Sequence, residues 1–240
     1  NMATLLLKKN GITPDYVCGL SLGEYSALSA AGVFDPETAI QVVRERGLAM
    51  EKAAEGVESA MMAILGLERE PLLDICVGCD GYVSIANYNC PGQLVIAGEK
   101  KAVEEAGQKA LDHGARRAVP LNTSGPFHTL LLKDASTRLH EVFKDVTFHE
   151  MNVPVIFNCT GKELEDCSVQ EMLEKQVMSP VYFEDSIRTM INNGVDTIIE
   201  IGPGKVLSGF VRKIDRKIKT YQVEDMASLQ KCVEAFNETK

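Results

Sequence analysis

Tryptophan is absent from this 240-residue sequence, histidine occurs only four times, and basic residues are outnumbered by acidic ones. Lys and Arg total 25 against 34 Asp and Glu, which gives a formal net charge of -9. Proteins that bind a nucleic-acid backbone need clustered Lys and Arg to displace counterions, so this balance argues against a nucleic-acid partner. No stretch approaches the roughly 18 consecutive apolar residues that cross a bilayer, and no signal-peptide pattern is present. We therefore expect a cytoplasmic protein with no membrane partner.

Cysteine pairing is also poorly supported by the sequence. There are seven cysteines, an odd number at irregular spacing, which favours reduced thiols over a disulfide framework. Cys76 and Cys79 form the only CxxC, and neither a second CxxC nor a nearby HxxxH accompanies them. We interpret them as packing residues and predict no metal site.

The remaining composition predicts a globular α/β protein. Hydrophobic residues make up 45% of the chain, enough for one large domain or a large domain with a smaller companion. Residues 1–9 are typical of the end of a helix, because leucines run into lysines before Asn10-Gly11, and we therefore expect an N-terminal portion to be missing. A short strand at 16–18 turns sharply into a helix at 24–31, and another helix follows at 37–54.

Residues 59–121 show a more compact alternation, βαββαβ, which is the ferredoxin-like order. We predict a small domain over 59–121, inserted into a large hydrolase-like α/β domain with a parallel sheet that residues 1–58 and 122–240 form. The predicted small-domain elements are strands 61–67, 82–87, 93–97 and 116–121 and helices 70–77 and 100–113. After them we predict helices 130–143, 168–177, 183–193 and 206–214 and strands 154–158 and 197–201.

Ser21 stands between Gly19 and Gly23 where the first strand turns into a helix. Such a turn lifts the hydroxyl clear of the backbone, and the helix that follows offers amide hydrogens to a developing oxyanion. The alternative is a purely structural turn of small residues. We predict that Ser21 is a nucleophile.

A serine hydroxyl needs a base to take its proton, and His128 is the candidate. His113, His140 and His149 lie among polar neighbours and are expected to be solvated. His128 instead follows an irregular stretch where the small domain rejoins the large one, and such loops commonly line active sites. A satisfied loop histidine is the other interpretation.

Arg46 falls within the apolar stripe of the helix at 37–54, whereas Arg44 and Glu45 point away. A guanidinium turned toward the interior needs an anionic partner, and a carboxylate matches its geometry. That partner can be an internal Asp or Glu, or a substrate carboxylate.

Five motifs in order resemble the malonyl-CoA:acyl carrier protein transacylases of bacterial fatty-acid synthesis, over essentially the whole chain. These motifs are Gly19-Leu20-Ser21-Leu22-Gly23-Glu24-Tyr25-Ser26-Ala27-Leu28, Arg46-Gly47, Asn87-Tyr88-Asn89-Cys90-Pro91-Gly92-Gln93, Gly125-Pro126-Phe127-His128 and Glu200-Ile201-Gly202-Pro203-Gly204-Lys205-Val206-Leu207. An ordered set of five is far more specific than a single G-x-S-x-G.

The resemblance implies an acyltransferase in which Ser21 is acylated, His128 is base and then acid, and Arg46 binds the free carboxylate of malonyl. It also implies that the Leu22 amide serves the oxyanion and that Asn89 and Phe127 contact substrate. A backbone carbonyl in the segment 179–182 should hold the histidine, and we assign it to Tyr182.

The implied substrates are malonyl-CoA and the phosphopantetheinyl arm of acyl carrier protein, with no cofactor and with the enzyme acting as a monomer. Carrier proteins are themselves acidic, so their docking site should be basic. Arg212, Lys213, Arg216, Lys217 and Lys219 form either that site or an ordinary solvated face.

Two departures from the family pattern bear on activity. Leu20 stands where many members have histidine, although some have leucine. The family also begins with a Gly-Gln-Gly loop that supplies a second oxyanion amide, and nothing here matches it. Loss of one such donor typically costs about 100- to 1,000-fold in rate. The rival interpretations are a serine hydrolase or thioesterase of the α/β-hydrolase type and a truncated, inactive fragment that binds carrier protein.

Overall fold

The computed structural model describes residues 2–238, and it confirms the predicted α/β class. The helices are α1 (Met2–Lys9), α2 (Leu22–Ala30), α3 (Pro36–Ala54), α4 (Arg69–Val77), α5 (Lys100–Asp112), α6 (Lys133–Phe143), α7 (Val169–Gln176), α8 (Phe183–Asn192), α9 (Val206–Ile214) and α10 (Met226–Asn237). The strands are β1 (Val17–Cys18), β2 (Ser59–Leu65), β3 (Val83–Cys90), β4 (Gln93–Glu99), β5 (Arg117–Leu121), β6 (Val155–Ile156), β7 (Thr197–Ile201) and β8 (Lys219–Val223).

The segment 59–121 forms a four-stranded antiparallel sheet in the order β3-β4-β2-β5. One face is covered by α4 and α5, and alternate side chains such as Ile64, Ile85 and Ile96 pack beneath them. The opposite face carries a second, smaller apolar cluster that includes Ala86 and Ala97. Elements and strand order are those of a ferredoxin-like unit. The boundaries of the two domains stay a prediction.

The rest of the chain pairs its strands in parallel, β1 with β6 and β7 with β8. Helices α2, α3, α6 and α7 enclose the largest apolar cluster, and α8 and α9 pack with β1 and β6 into another. Two backbone hydrogen bonds tie this part to the small sheet: Tyr88 N donates to Val181 O at 2.9 Å, and Val181 N donates to Ala86 O at 2.9 Å. Within residues 2–238, no helix is both long and apolar enough to span a membrane.

Helix caps fix the register of the two helices that supply the site. Asp35 accepts the amides of Glu37 and Thr38, both at 2.9 Å, and Pro36 occupies the first turn of α3. Ser168 and Glu171 form a capping box that starts α7. These caps fix the residue at which each helix begins.

Several sequence-based boundaries differ from the structure. The helix predicted at 130–143 begins as a 3-10 turn at Leu130–Leu132, and only Lys133–Phe143 is α-helical. The strand predicted at 154–158 is reduced to Val155–Ile156, because its single neighbour β1 is itself two residues long. Strand β8 and helix α10 were not predicted. Residues 1, 239 and 240 of the predicted large domain lie outside the described residues.

The turn from β1 to α2 is sterically tight at one glycine only. A Cβ on Gly19 would lie 2.0 Å from the carbonyl carbon of Gly23, far inside contact distance, whereas a Cβ on Gly23 would meet nothing within 4 Å. Ser21 itself has φ 54° and ψ -107°, a strained backbone conformation for a non-glycine residue. The close packing of Gly19 against Gly23 therefore holds Ser21 in this conformation.

Gly19→Ala should lower the free energy of unfolding by about 2 kcal/mol or more, because the added methyl group overlaps backbone that cannot move aside. Gly23→Ala, the matched control, should be neutral or stabilising by up to about 1 kcal/mol, since alanine is favoured over glycine in a helix. Thermal and denaturant unfolding measure both. Equal stability of the two variants would contradict the steric argument.

Candidate active site

The turn from β1 to α2, called the elbow below, places the Ser21 hydroxyl against the imidazole of His128, with 2.7 Å between Oγ and Nε2. His128 is only 3% exposed and has φ 62°, in the turn that follows Gly125. Its Nδ1 donates to the backbone carbonyl of Gln176 at 2.9 Å. A carbonyl only accepts, so Nδ1 carries the proton and the Nε2 lone pair faces Ser21. In this tautomer the histidine can take the hydroxyl proton.

Burial lowers the pKa of His128 to about 4, and the positive charge of Arg46 acts in the same direction. The hydrogen bond to the Gln176 carbonyl opposes this shift. His128 is therefore neutral at neutral pH, which is the form that a general base requires.

Arg46 is 5% exposed in the middle of α3, as its place in the apolar stripe predicted. Its Nη2 donates to Ser21 Oγ at 3.0 Å and to Gln176 Oε1 at 3.1 Å, and its Nε donates to the same Oε1 at 3.2 Å. The ring of Tyr25 lies 5.4 Å from the guanidinium carbon. Across residues 2–238, no carboxylate comes within ion-pair distance of this guanidinium. The internal-acid alternative is therefore not realised.

Ser21 and Arg46 open onto a cleft of about 500 Å³, large enough for a small organic substrate. The other lining residues are Arg44, Gly47, Leu48, Met50, Glu51, Ser124 and Phe127. Phe127 thus lies at the cleft and also packs against the outer face of the small sheet. The cleft is thus lined by apolar side chains, by the Ser21 hydroxyl and by the Arg46 guanidinium.

The backbone amides at the elbow divide into used and unused donors. Ser21 N donates to Asn158 Oδ1 at 2.7 Å. Leu22 N, the first amide of α2, has no hydrogen-bond acceptor in the described part of the chain. It can donate to an oxyanion that forms beside Ser21.

Two predicted site residues are not placed with the others. Asn89 is buried on β3, its Oδ1 lacks a hydrogen-bond partner among the described residues, and it does not line the cleft. The assignment of Tyr182 is wrong: its carbonyl accepts from Ser186 N and Oγ, both at 2.9 Å, as part of the first turn of α8. The carbonyl that accepts from His128 Nδ1 belongs to Gln176, three residues before the predicted segment, and a backbone hydrogen bond with Ser179, inside that segment, also raises the pKa of His128.

Three further residues support the site and were missed. Gln176 contacts both His128 and Arg46, Asn158 accepts from Ser21 N, and Glu24 is 1% exposed beneath the elbow. Glu24 stood in the first of the five motifs, but no role was predicted for it. Burial raises the pKa of Glu24 to about 8, although hydrogen bonds from Asn158 and Gln176 and the charge of Arg46 act in the opposite direction.

The other histidines are exposed, as predicted, and seven free cysteines are dispersed through the fold. Cys76 is buried in the small-domain core, and Cys79 Sγ donates to Ile75 O at 3.2 Å. No group of three or more His, Cys, Asp or Glu residues between 2 and 238 could hold a metal ion. The residues of the predicted basic docking cluster are exposed, and its role stays a prediction.

Comparison with known proteins agrees with this arrangement of residues. Residues 2–239 match the model of the acyl transferase domain family. A malonyl CoA-acyl carrier protein transacylase of Bacillus subtilis (strain 168) is 46% identical over 235 residues, which cover 96% of this chain and 74% of that protein.

Solved structures give the same result. A malonyl CoA-acyl carrier protein transacylase of Clostridium perfringens superposes with a TM-score of 0.94 at 42% identity, covering 99% of this chain and 76% of that one. A malonyl-transacylase in complex with its type II PKS acyl-carrier protein superposes with a TM-score of 0.93 at 37% identity, covering 97% and 77%. The chain therefore belongs to the acyl transferase domain family, and within it to the malonyl CoA-acyl carrier protein transacylases.

Proposed function

We propose that this chain transfers malonyl from coenzyme A to the phosphopantetheine thiol of acyl carrier protein, in fatty-acid biosynthesis, through a malonyl ester of Ser21. The observation that carries the proposal is the contact of one hydroxyl with both a neutral imidazole and a buried guanidinium that forms no ion pair within residues 2–238. The relatives' names, and the carrier protein bound to one of them, support the same reaction and partner.

In the first step, His128 Nε2 takes the Ser21 proton while Oγ attacks the thioester carbonyl. The negative charge on the carbonyl oxygen is stabilised by the Leu22 amide. The C–S bond then breaks, and coenzyme A leaves as a thiol with the proton from His128. In the second step, the phosphopantetheine thiol gives its proton to His128 and attacks the ester. The malonyl thioester forms and the proton returns to Ser21.

Arg46 supplies the selectivity for a substrate with a second carboxylate. Its present hydrogen-bond acceptors, Gln176 Oε1 and Ser21 Oγ, are neutral, so within residues 2–238 no carboxylate pairs directly with its charge. A malonyl carboxylate would pair with the guanidinium, whereas an acetyl group would leave it unpaired. The 3.0 Å between Nη2 and Oγ limits the span to a short diacid.

The nucleophile is tested by mixing the purified chain with malonyl-CoA and measuring its intact mass. A stable malonyl adduct is expected in the parent chain and in Ser26→Ala, an exposed serine of the same helix, and it should be absent in Ser21→Ala. Added phosphopantetheinyl carrier protein should then remove it.

Two other outcomes of the mass measurement identify the rival functions. Rapid release of free malonate would indicate a serine hydrolase or thioesterase, and a complete lack of adduct would indicate a fragment that only binds carrier protein. Either result would contradict malonyl transfer by this chain.

Arg46→Ala should reduce the ratio of malonyl to acetyl acylation by about 100-fold, because a charge-assisted hydrogen bond made only with malonyl is lost. Total acylation should fall less than this ratio. The measurement is the rate of Ser21 acylation from malonyl-CoA and from acetyl-CoA, with the exposed Arg138→Ala as control. Equal losses for both substrates would exclude a role in selectivity.

The acid limb of the pH profile should lie well below the ordinary histidine value of about 6.5. The pKa of His128 is lowered to about 4, so the base form is lost only as the pH falls through that value. The measurement is kcat/KM for malonyl-CoA as a function of pH. His140→Gln, at an exposed histidine, should leave the limb in place. An inflection near 6.5 in both proteins would disprove the assignment.

We also propose that the reaction needs no cofactor and takes place in the cytoplasm, with the enzyme acting as a monomer. The mechanism above uses only protons and acyl groups that the substrates and side chains supply, which supports the absence of a cofactor.

A further inference from the structure

Glu24 is a buried acid that the transfer mechanism does not use. It lies one helical turn after Ser21 in α2 and is 1% exposed, yet no basic side chain within residues 2–238 forms an ion pair with it. Burying a carboxylate without an ion pair is costly unless hydrogen bonds compensate for lost water. The position of these hydrogen bonds indicates what Glu24 does.

Both carboxylate oxygens of Glu24 accept hydrogen bonds from N–H groups. Oε2 accepts from the backbone amide of Asn158 at 2.5 Å, and Oε1 accepts from Nε2 of Gln176 at 3.1 Å. Each oxygen of the buried carboxyl group is therefore an acceptor for one N–H group. The first bond anchors the acid, and the second reaches a residue that contacts the catalytic groups.

The Gln176 amide is held in one orientation by these contacts. Its Nε2 lies between two groups that only accept, Glu24 Oε1 and the Ser21 carbonyl at 2.9 Å. Its Oε1 therefore faces the guanidinium of Arg46, where it accepts from Nε and Nη2. A flipped amide would set its NH2 group against the guanidinium and its oxygen against the carboxylate. Such a flip would replace four attractive contacts by repulsive ones.

The hydrogen-bonded side chains of Glu24, Gln176 and Arg46 meet two requirements of the proposed site. The guanidinium must be held in place, but a directly bonded carboxylate would neutralise it and compete with the substrate. An amide oxygen holds the guanidinium without cancelling its charge, and the Glu24 carboxyl group lies one residue further back.

We propose that Glu24 is a positioning residue that, through the side-chain amide of Gln176, orients Arg46 toward the substrate carboxylate. This inference rests on the proposed function. The selectivity for malonyl over acetyl then depends on a carboxyl group that does not contact the substrate, Ser21 Oγ or His128.

The test is Glu24→Gln, which keeps the size of the side chain and replaces one of its two acceptor oxygens by an NH2 donor. Ser21 acylation from malonyl-CoA and from acetyl-CoA is measured separately. The malonyl-to-acetyl ratio should fall by about 10-fold, the effect of roughly 1.4 kcal/mol, while acetyl acylation is retained. A merely structural acid under the elbow would lower both rates together and leave the ratio unchanged.

Glu200→Gln is the matched control. Glu200 is also a buried acid whose oxygens accept two amides, those of Leu207 and Ser208 at 3.1 and 2.7 Å, at the start of α9. Its replacement should lower thermal stability and leave the ratio as it was. A shift of the ratio equal to that of Glu24→Gln would overturn the proposal, because any buried acid would then have the same effect.

Gln176→Met provides a second, independent variant if Glu24→Gln does not fold. It removes the amide and keeps the backbone carbonyl that holds His128, so the malonyl-to-acetyl ratio should fall, even though both rates can decrease because Nε2 of Gln176 also donates to the Ser21 carbonyl. An unchanged ratio in this variant would overturn the proposal.

The double variant tests whether Glu24 acts through Gln176. If it does, adding Glu24→Gln to Gln176→Met causes no further decrease in the malonyl-to-acetyl ratio. Additive decreases would contradict an effect of Glu24 through Gln176.

Failure of this inference is distinguishable from failure of the proposed function. A parent chain without malonyl adduct contradicts the function, whereas a selective parent with an equally selective Glu24→Gln variant contradicts the inference alone.

Discussion

The site depends on how residue 176 is held at the end of α7. The backbone carbonyl of Gln176 fixes the tautomer of His128, and its side chain holds Arg46, so one residue sets both the base and the cation. The capping box at Ser168 and Glu171 starts α7 and thereby determines where this residue ends up. A carboxylate third member, as in many serine enzymes, is replaced by an uncharged carbonyl. This leaves Arg46 as the cation that faces the nucleophile.

The small antiparallel sheet contributes to the cleft through Phe127 and to the framework through its connections to the large domain. Arg69 on α4 donates to both carboxylate oxygens of Asp185 at 3.1 and 2.8 Å, and its guanidinium lies over the ring of Tyr88. Tyr88 in turn stacks on Tyr182 with ring centroids 4.7 Å apart. These contacts join α4 and β3 to α8. The segment 59–121 is therefore held by side-chain contacts as well as by its two covalent connections.

Sequence reasoning was most successful where a local pattern has one physical meaning. Gly19 and Gly23 around Ser21 require a sharp turn, and Arg46 within an apolar stripe must face inward, so both could be placed without knowing their partners. Glu24 and Gln176 could not be found this way, because their value comes from contacts across more than 100 positions of the chain. Tyr182 was misassigned because the helix starting beside it uses its carbonyl. Helix α10 escaped notice because its capping box pairs Asp225 with Ser228 instead of Glu or Gln.

Phe127 packs against a face of the small sheet on which alanines predominate. This face carries Met61, Ala63, Ala86, Val95 and Ala97, and none of these lines the cleft itself. Exchanging an alanine there for a bulkier residue would push the ring outward, and closely packed interiors transmit such volume changes. The volume available to the acyl group can thus be changed through residues that lie behind the ring of Phe127. The size of the accepted substrate can vary without a change in any residue that contacts the substrate.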